Sequence, residues 1–401
     1  MATKICPEAG EEGTLASVAY CVRMATLLPP SLPRTRALLE EGIARQEQLG
    51  AQLAISRGAA TLAAPARLEL FLGERQEGQA MTADTLNIWL STTKPLTAVA
   101  FALLWQRGLV DLDDPVVRFV PEFGSGGKEA ITLRHLLTHT AGIRMLNVGW
   151  PEASWEEILA KICATKIEPR WVPGQKAGYH MLSSFFVLGE VISRLAGEPF
   201  RDFVRREVFE KLGMDHCWIG MPAARQAAYG DRLGRMYGTE GGRLLPRNWH
   251  NLPHTLGSSP GGNGYGPMSE LILFYEMLLR RGLTQRGERL LTPQTVEALT
   301  APQRVGMVDL TFQTKLDFGL GFIINSRHYQ ADKQPYGYGR HAGRRTFGHS
   351  GHQSSTAFAD PENDLVVALF VNGQPGEPRH TDRFRELTEA IYEDLGLAAS
   401  A

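Results

Sequence analysis

Thiols are scarce in this chain. Its 401 residues contain four cysteines, Cys6, Cys21, Cys163 and Cys217, widely spaced and without a C-x-x-C pair. A disulfide framework or a zinc knuckle is therefore not expected, and free thiols are the default. Long apolar runs are also missing. The stretch 14–28 is fairly apolar, but Glu8, Glu11 and Glu12 precede it, Arg23 interrupts it, and no small-x-small cleavage site follows. It does not read as a secretory signal. No other stretch approaches the length of a membrane-spanning helix. An excess of one charge is the third absence: 42 basic residues stand against 43 acidic, a net charge of −1. Neither nucleic acid nor a membrane surface is an expected partner. What remains is an ordinary soluble composition, 43% apolar and 21% charged, which reads as cytoplasmic. The length exceeds one small core and calls for one large two-lobed domain or two domains.

Residues 1–30 read as an N-terminal extension ending at Pro29-Pro30. Leu38, Leu39, Ile43 and Leu49 keep helical spacing, and Gly50 can close that helix. Strand-like runs follow at 51–57 and 67–73. Asp114 and Pro115 suit the cap and first position of a new helix. From about 115 to 304 the signals are mostly helical, at 131–138, 155–164, 183–195, 200–212 and 270–281, with glycine-rich connections densest at 257–267. Strand patterns return at 318–325, 345–348, 355–360 and 365–371, before a last helix over 382–395. Strands at both ends with helices between predict an α+β arrangement, one antiparallel sheet beside an inserted helical lobe. The core lobe would comprise 31–114 and 305–401, and the inserted lobe 115–304.

The organising stretch is 85–100, Thr-Leu-Asn-Ile-Trp-Leu-Ser-Thr-Thr-Lys-Pro-Leu-Thr-Ala-Val-Ala. It passes from an extended approach into an apolar run, 98–105, that reads as a buried helix. Ser91 stands at the junction as an N-cap, and Lys94 follows one turn later on the same face. An alcohol beneath an amine is a candidate nucleophile, because burial disfavours the ammonium and leaves a base. The plain alternative for so short a pattern is a capped helix with a surface lysine.

Three further stretches change that balance. Pro173-Gly174-Gln175-Lys176-Ala177-Gly178-Tyr179-His180 puts a tyrosine at a loop-to-helix junction. Phe347-Gly348-His349-Ser350-Gly351-His352 lies on a late strand, and residues 131–142 carry His135 and His139. With Ser91-x-x-Lys94, Leu112-Asp113-Asp114-Pro115 and Asp360-Pro361, in this order and spacing, residues 31–395 resemble the serine β-lactamase-like superfamily. Within it the chain is most similar to the class C-related family VIII carboxylesterases.

The resemblance implies a β-lactamase/transpeptidase-like fold: an antiparallel sheet flanked by helices, an inserted helical lobe, and a cleft between them. It implies Ser91 as nucleophile and Lys94 with Tyr179 as the proton-handling pair, with the choice of base open between them. His349, Ser350 and Gly351 would form the cleft-edge strand. The N–H groups of Ser91 and His352 would hold the oxyanion of the attacked carbonyl. Two departures carry substrate information. The pattern's Tyr-x-Asn is here Tyr179-His180-Met181, and its Lys-Thr-Gly is here His349-Ser350-Gly351. Both remove groups that bind the amide and carboxylate of lactams and peptides. Short-chain carboxylic esters need neither, so the implied activity is ester hydrolysis through an acyl-Ser91 intermediate, without metal or organic cofactor. The alternatives are a β-lactamase, D-amino-acid peptidase or acyltransferase on the same site, or a binding protein that acylates without turnover.

Other patterns read more plainly. Gly257-Ser258-Ser259-Pro260-Gly261 spells the hydrolase elbow G-x-S-x-G, but a poor strand precedes it and Pro260 blocks an immediate helix. His135 and His139 have metal spacing, yet Leu136 stands where H-E-x-x-H needs Glu, which favours packing or capping. Asp111, Asp113 and Glu122 mimic part of a calcium loop, but Val116 occupies the glycine position. Trp89, Trp249 and Tyr265 are candidates for an acyl pocket, against a plain core role.

Overall fold

The structure is a computed structural model that describes residues 28–61, 64–248, 256–329 and 334–398. Its centre is a seven-stranded sheet built from both ends of the chain. The strands are β1 (Gly50–Arg57), β2 (Ala66–Gln76), β3 (Gln79–Ala80), β4 (Ile323–Ile324), β5 (Phe347–Gly351), β6 (Ser355–Asp360) and β7 (Leu365–Val371), in spatial order β4-β5-β6-β7-β1-β2-β3. Every pairing is antiparallel; Leu53 faces Leu70 on one side and Leu369 on the other. The run Leu365-Val-Val-Ala-Leu-Phe-Val371 is buried throughout because helices cover both faces of this central strand.

Alternation along the strands sorts the two faces. Leu53, Ile55, Val367 and Leu369 pack under α1 (Pro33–Ala44) and the C-terminal α5 (Arg379–Asp394). Ala54, Ala357 and Ala368 line the other face, where their small side chains let α4 (Met268–Leu279) lie close. This helix falls inside the 115–304 stretch, yet it packs on the sheet. The same stretch also holds short strands at Tyr237–Glu240 and Arg243–Pro246, the latter two paired with each other, and the former paired with Gly373–Gln374.

Behind the active edge runs α2 (Lys94–Gln106), buried from Lys94 to Leu104. A helix apolar all round belongs inside a core, and α2 is enclosed by α3 (Ser183–Ala196) and the helix Pro293–Thr300. Three local expectations differ. Ser91 is not a helix cap; it sits inside a 3-10 turn, Leu90–Thr93, that runs directly into α2. Asp114-Pro115 leads only to a short turn, Val116–Arg118. The helix expected over 200–212 is α-helical at Phe200–Val204, opens into a π turn at Arg205–Phe209, and closes at Glu210–Leu212.

Candidate active site

The Ser91 turn is pinned from two sides. Trp89 donates its N–H to Gly264 O at 2.7 Å and its indole Nε1–H to Gly266 O at 3.0 Å. Thr93 Oγ1 accepts from Gly264 N–H at 2.8 Å and donates to Leu90 O at 2.6 Å. On the sheet side, Thr92 Oγ1 meets Ser355 Oγ at 2.9 Å, and Ser355 donates to Trp89 O at 2.7 Å. The two residues between Ser91 and Lys94 are therefore fasteners, a role the four-residue pattern did not reveal. Leu90, just before Ser91, takes φ 52°, a left-handed conformation that costs a non-glycine residue about 1 kcal/mol or more.

Lys94 is fully buried. Its Nζ lies 2.9 Å from Ser91 Oγ, 2.8 Å from Met181 O and 2.8 Å from Gly261 O. Burial pushes the amine far below its ordinary pKa, because desolvation disfavours the ammonium. Gly261 belongs to the segment that resembles the elbow, and its contribution is a carbonyl. Ser259 is buried, and its hydroxyl makes no hydrogen bond among the described residues.

Tyr179 is buried beside this pair, with Lys94 Nζ 5.0 Å from its ring centre. Burial drives the phenol's pKa up, and the facing Ser91 hydroxyl offsets part of that push. The approach is loose: Tyr179 Oη closes no hydrogen bond among the described residues. Behind the ring lie His139, at 4.6 Å between ring centres, and His180 stacked on it. Both histidines are buried and both are held neutral by desolvation. His135 instead accepts from Thr132 N–H at a helix start, so His135 and His139 do not converge. Among the described residues no group of three or more His, Cys, Asp or Glu is placed to hold a metal ion.

The end of β5 comes up against the Ser91 turn. A Cβ on Gly351 would lie 2.2 Å from Trp89 O, so only glycine permits this approach. The N–H groups of Ser91 and His352 have no acceptor among the described residues. Ser91, Tyr179, His349, Ser350 and His352 line one cavity of about 600 Å³, with walls of Trp150, Leu182, Phe312, Ile323 and Tyr336. Met181, 53% exposed, stands at its mouth with Glu152. Tyr265 does not line the cavity: it is 1% exposed and forms core between Gly264 and Gly266, on which the Trp89 ring rests. Trp89 is likewise core, and Trp249 lies outside the described residues.

A family model described as Beta-lactamase matches residues 35–391. The chain belongs to the Beta-lactamase family. Within that family its relatives include "Esterase/beta-lactamase LipL" of Mycobacterium tuberculosis (strain ATCC 25618 / H37Rv), 24% identical over 320 residues, 73% of this chain and 70% of that one. Another is "Esterase EstB" of Burkholderia gladioli, 28% identical over 204 residues, 46% of this chain and half the length of EstB. A solved penicillin-binding protein homologue from Caulobacter crescentus superposes with a TM-score of 0.71 at 26% identity, covering 92% of this chain and 98% of that one. A solved family VIII carboxylesterase gives 0.72 at 24%, with the same coverage, and shares the fold. The α+β, β-lactamase-type architecture is thus established, and relatives named as esterases stand within the chain's similarity range.

Proposed function

We propose that this protein is a carboxylesterase that works through an acyl-Ser91 intermediate, with Lys94 as base and Tyr179 as acid. One observation carries the reading. Met181 O and Gly261 O can only accept hydrogen bonds. A neutral Lys94 amine has two hydrogens, which go to those carbonyls, and its lone pair then faces Ser91 Oγ–H at 2.9 Å. The base is aimed by the backbone.

In the first half-reaction the Ser91 proton passes to Lys94 Nζ as Oγ bonds to the ester carbon. The oxyanion sits between the N–H groups of Ser91 and His352, and such donors are usually a large catalytic term. Collapse breaks the bond to the alcohol oxygen, which takes the Tyr179 proton; the Lys94 ammonium restores it. In the second half a water gives its proton to Lys94 and attacks the acyl carbon, and Ser91 Oγ leaves with the proton from Lys94. A neutral imidazole at His349, the thioether of Met181 and the carboxylate of Glu152 leave the mouth, among the described residues, without a cation for a substrate carboxylate. This favours uncharged esters over β-lactams and D-peptides. The cavity's apolar walls suit a short acyl chain, and a cytoplasmic setting fits the free thiols of Cys163 and Cys217.

The test is steady-state hydrolysis of nitrophenyl butyrate by the wild type and by Ser91→Ala, with mass spectrometry of the quenched wild type. An acyl adduct on Ser91 and an inactive variant are expected. Full activity of Ser91→Ala would overturn the reading.

A further inference from the structure

Tyr179 is gripped by a turn 130 residues away in sequence. Its N–H donates to Asp309 Oδ1 at 3.1 Å, and its carbonyl accepts from Thr311 Oγ1 at 3.1 Å. The same Asp309 oxygen takes the N–H groups of Thr311 at 2.9 Å and Phe312 at 3.2 Å, which closes the turn as an Asx motif. Leu310 N–H bonds Ala177 O at 2.9 Å, tying the turn to the residue two before Tyr179. The Phe312 ring lies 5.2 Å from the tyrosine ring.

Asp309 is itself locked. Its Oδ2 meets Arg304 Nη2 at 3.0 Å, and both side chains are fully buried. The other donors of Arg304 go to the carbonyls of Thr138 and Leu316. A buried ion pair is seldom a net gain in stability, because desolvation offsets the attraction. Here its geometric effect is evident: a carboxylate that accepts from three N–H groups and a guanidinium cannot rotate without losing several of them at once. The tyrosine hydroxyl closes no hydrogen bond among the described residues. Its place beside Ser91 is therefore set by the backbone anchor and the ring contacts alone.

We propose that Asp309 and Thr311 are positioning residues for Tyr179, holding its hydroxyl where it protonates the departing alkoxide. The proposal rests on the reading of Tyr179 as the acid. A displacement of about 1 Å at a reacting group can cost on the order of 10²-fold in rate. The loss depends on the leaving group. Nitrophenolate departs as a stable anion and needs little protonation, whereas ethoxide needs a proton as it leaves.

The experiment compares kcat and KM on nitrophenyl butyrate and ethyl butyrate for wild type, Tyr179→Phe, Thr311→Val, Thr311→Ser and Asp309→Asn. Tyr179→Phe defines the signature of a missing acid, a far larger fall in kcat on the ethyl ester. Thr311→Val and Asp309→Asn are expected to copy it, losing roughly 10- to 100-fold on the ethyl ester and a few-fold on the nitrophenyl ester, at similar KM. Thr311→Ser restores the hydroxyl and recovers most of the ethyl ester rate lost in Thr311→Val. Equal losses on both esters in the Thr311 and Asp309 variants, beside a selective Tyr179→Phe, would overturn the inference and leave the acid in place. Equal losses in Tyr179→Phe would instead overturn the acid and the inference with it. If Asp309→Asn does not fold, the two Thr311 variants decide alone.

Discussion

His349 Nδ1 lies 2.9 Å from the carbonyl oxygen of Ser350. A carbonyl only accepts, so the ring proton resides on Nδ1, and Nε2 keeps its lone pair, buried and without a partner among the described residues. Burial, with Lys94 nearby, draws the imidazole pKa down to about 3. At neutral pH this position offers no positive charge. A lactam or peptide carboxylate set against it loses a charge-assisted bond, and an unmatched buried polar group costs ~1–3 kcal/mol or more. We expect kcat/KM on nitrocefin roughly 10- to 100-fold below that on nitrophenyl butyrate, at about tenfold per 1.4 kcal/mol. His349→Lys should narrow the gap by raising the nitrocefin value. Comparable values for the wild type on both substrates would refute the argument.

Four buried histidines make stability depend on pH. His180, His349 and His380 are drawn down to about 3, and His139 also lies well below the ordinary 6.5. As pH falls below 6.5, the unfolded chain takes up protons that the folded chain refuses until about 3. Stability is therefore fully present above 6.5 and is lost as pH falls through this window, by up to ~1.4 kcal/mol per pH unit for each histidine. Thermal melts should show Tm dropping steadily between about pH 7 and about pH 5, with a shallower slope in His380→Gln. A flat Tm across that range would contradict the buried, neutral rings.

Lys94→Arg separates charge from basicity. The guanidinium keeps a cation but does not give up its proton. Its planar fork also cannot point a lone pair at Ser91 while serving Met181 O and Gly261 O. Activity should fall ~10²-fold or more, as low as in Lys94→Ala. An arginine variant that retains most of its rate would show that a positive charge suffices.

The strand at 365–371 and the helix behind Ser91 were legible because each is an apolar run with a single possible destination, the core. Ser91, Lys94 and Tyr179 were legible as motif members. Their fasteners were not. Thr92 and Thr93 read as filler between two motif residues, since their partners, Ser355 and Gly264, arrive from remote strands. Asp309 reads locally as no more than a turn residue bonded to Thr311 and Phe312, because the partner that ties it to the site, Tyr179, lies 130 residues earlier. Ser91 was expected as a helix cap because local chemistry favours serine there; the tertiary pins on Trp89 and Thr93 impose a 3-10 turn instead. Tyr265 was a plausible pocket residue by type, but the flanking glycines bring its strand against the Trp89 ring and seal it in the core.

The same reasoning from backbone approach gives a test of the oxyanion site at a residue that has no functional group. Gly351 brings β5 to the Ser91 turn, where an added Cβ would lie 2.2 Å from Trp89 O, 2.4 Å from Ser355 Oγ and 3.0 Å from Leu90 Cβ. Two of these atoms belong to backbone or its immediate branch on the turn itself, so the clash is not relieved by rotating a flexible side chain. The strand end must move away from Ser91. Because His352 is the next residue, its N–H moves with it and the gap between the N–H groups of Ser91 and His352 widens. Loss of one such donor costs on the order of 10²–10³ in kcat. The rest of the β5–β6 pairing, from Phe347 opposite Ala359 to Ser350 opposite Thr356, is untouched by the added methyl. Gly351→Ala is therefore expected to fold and to bind ester with a similar KM, while kcat falls at least ~100-fold. Near-normal kcat in a folded Gly351→Ala would show that the His352 N–H does not hold the oxyanion.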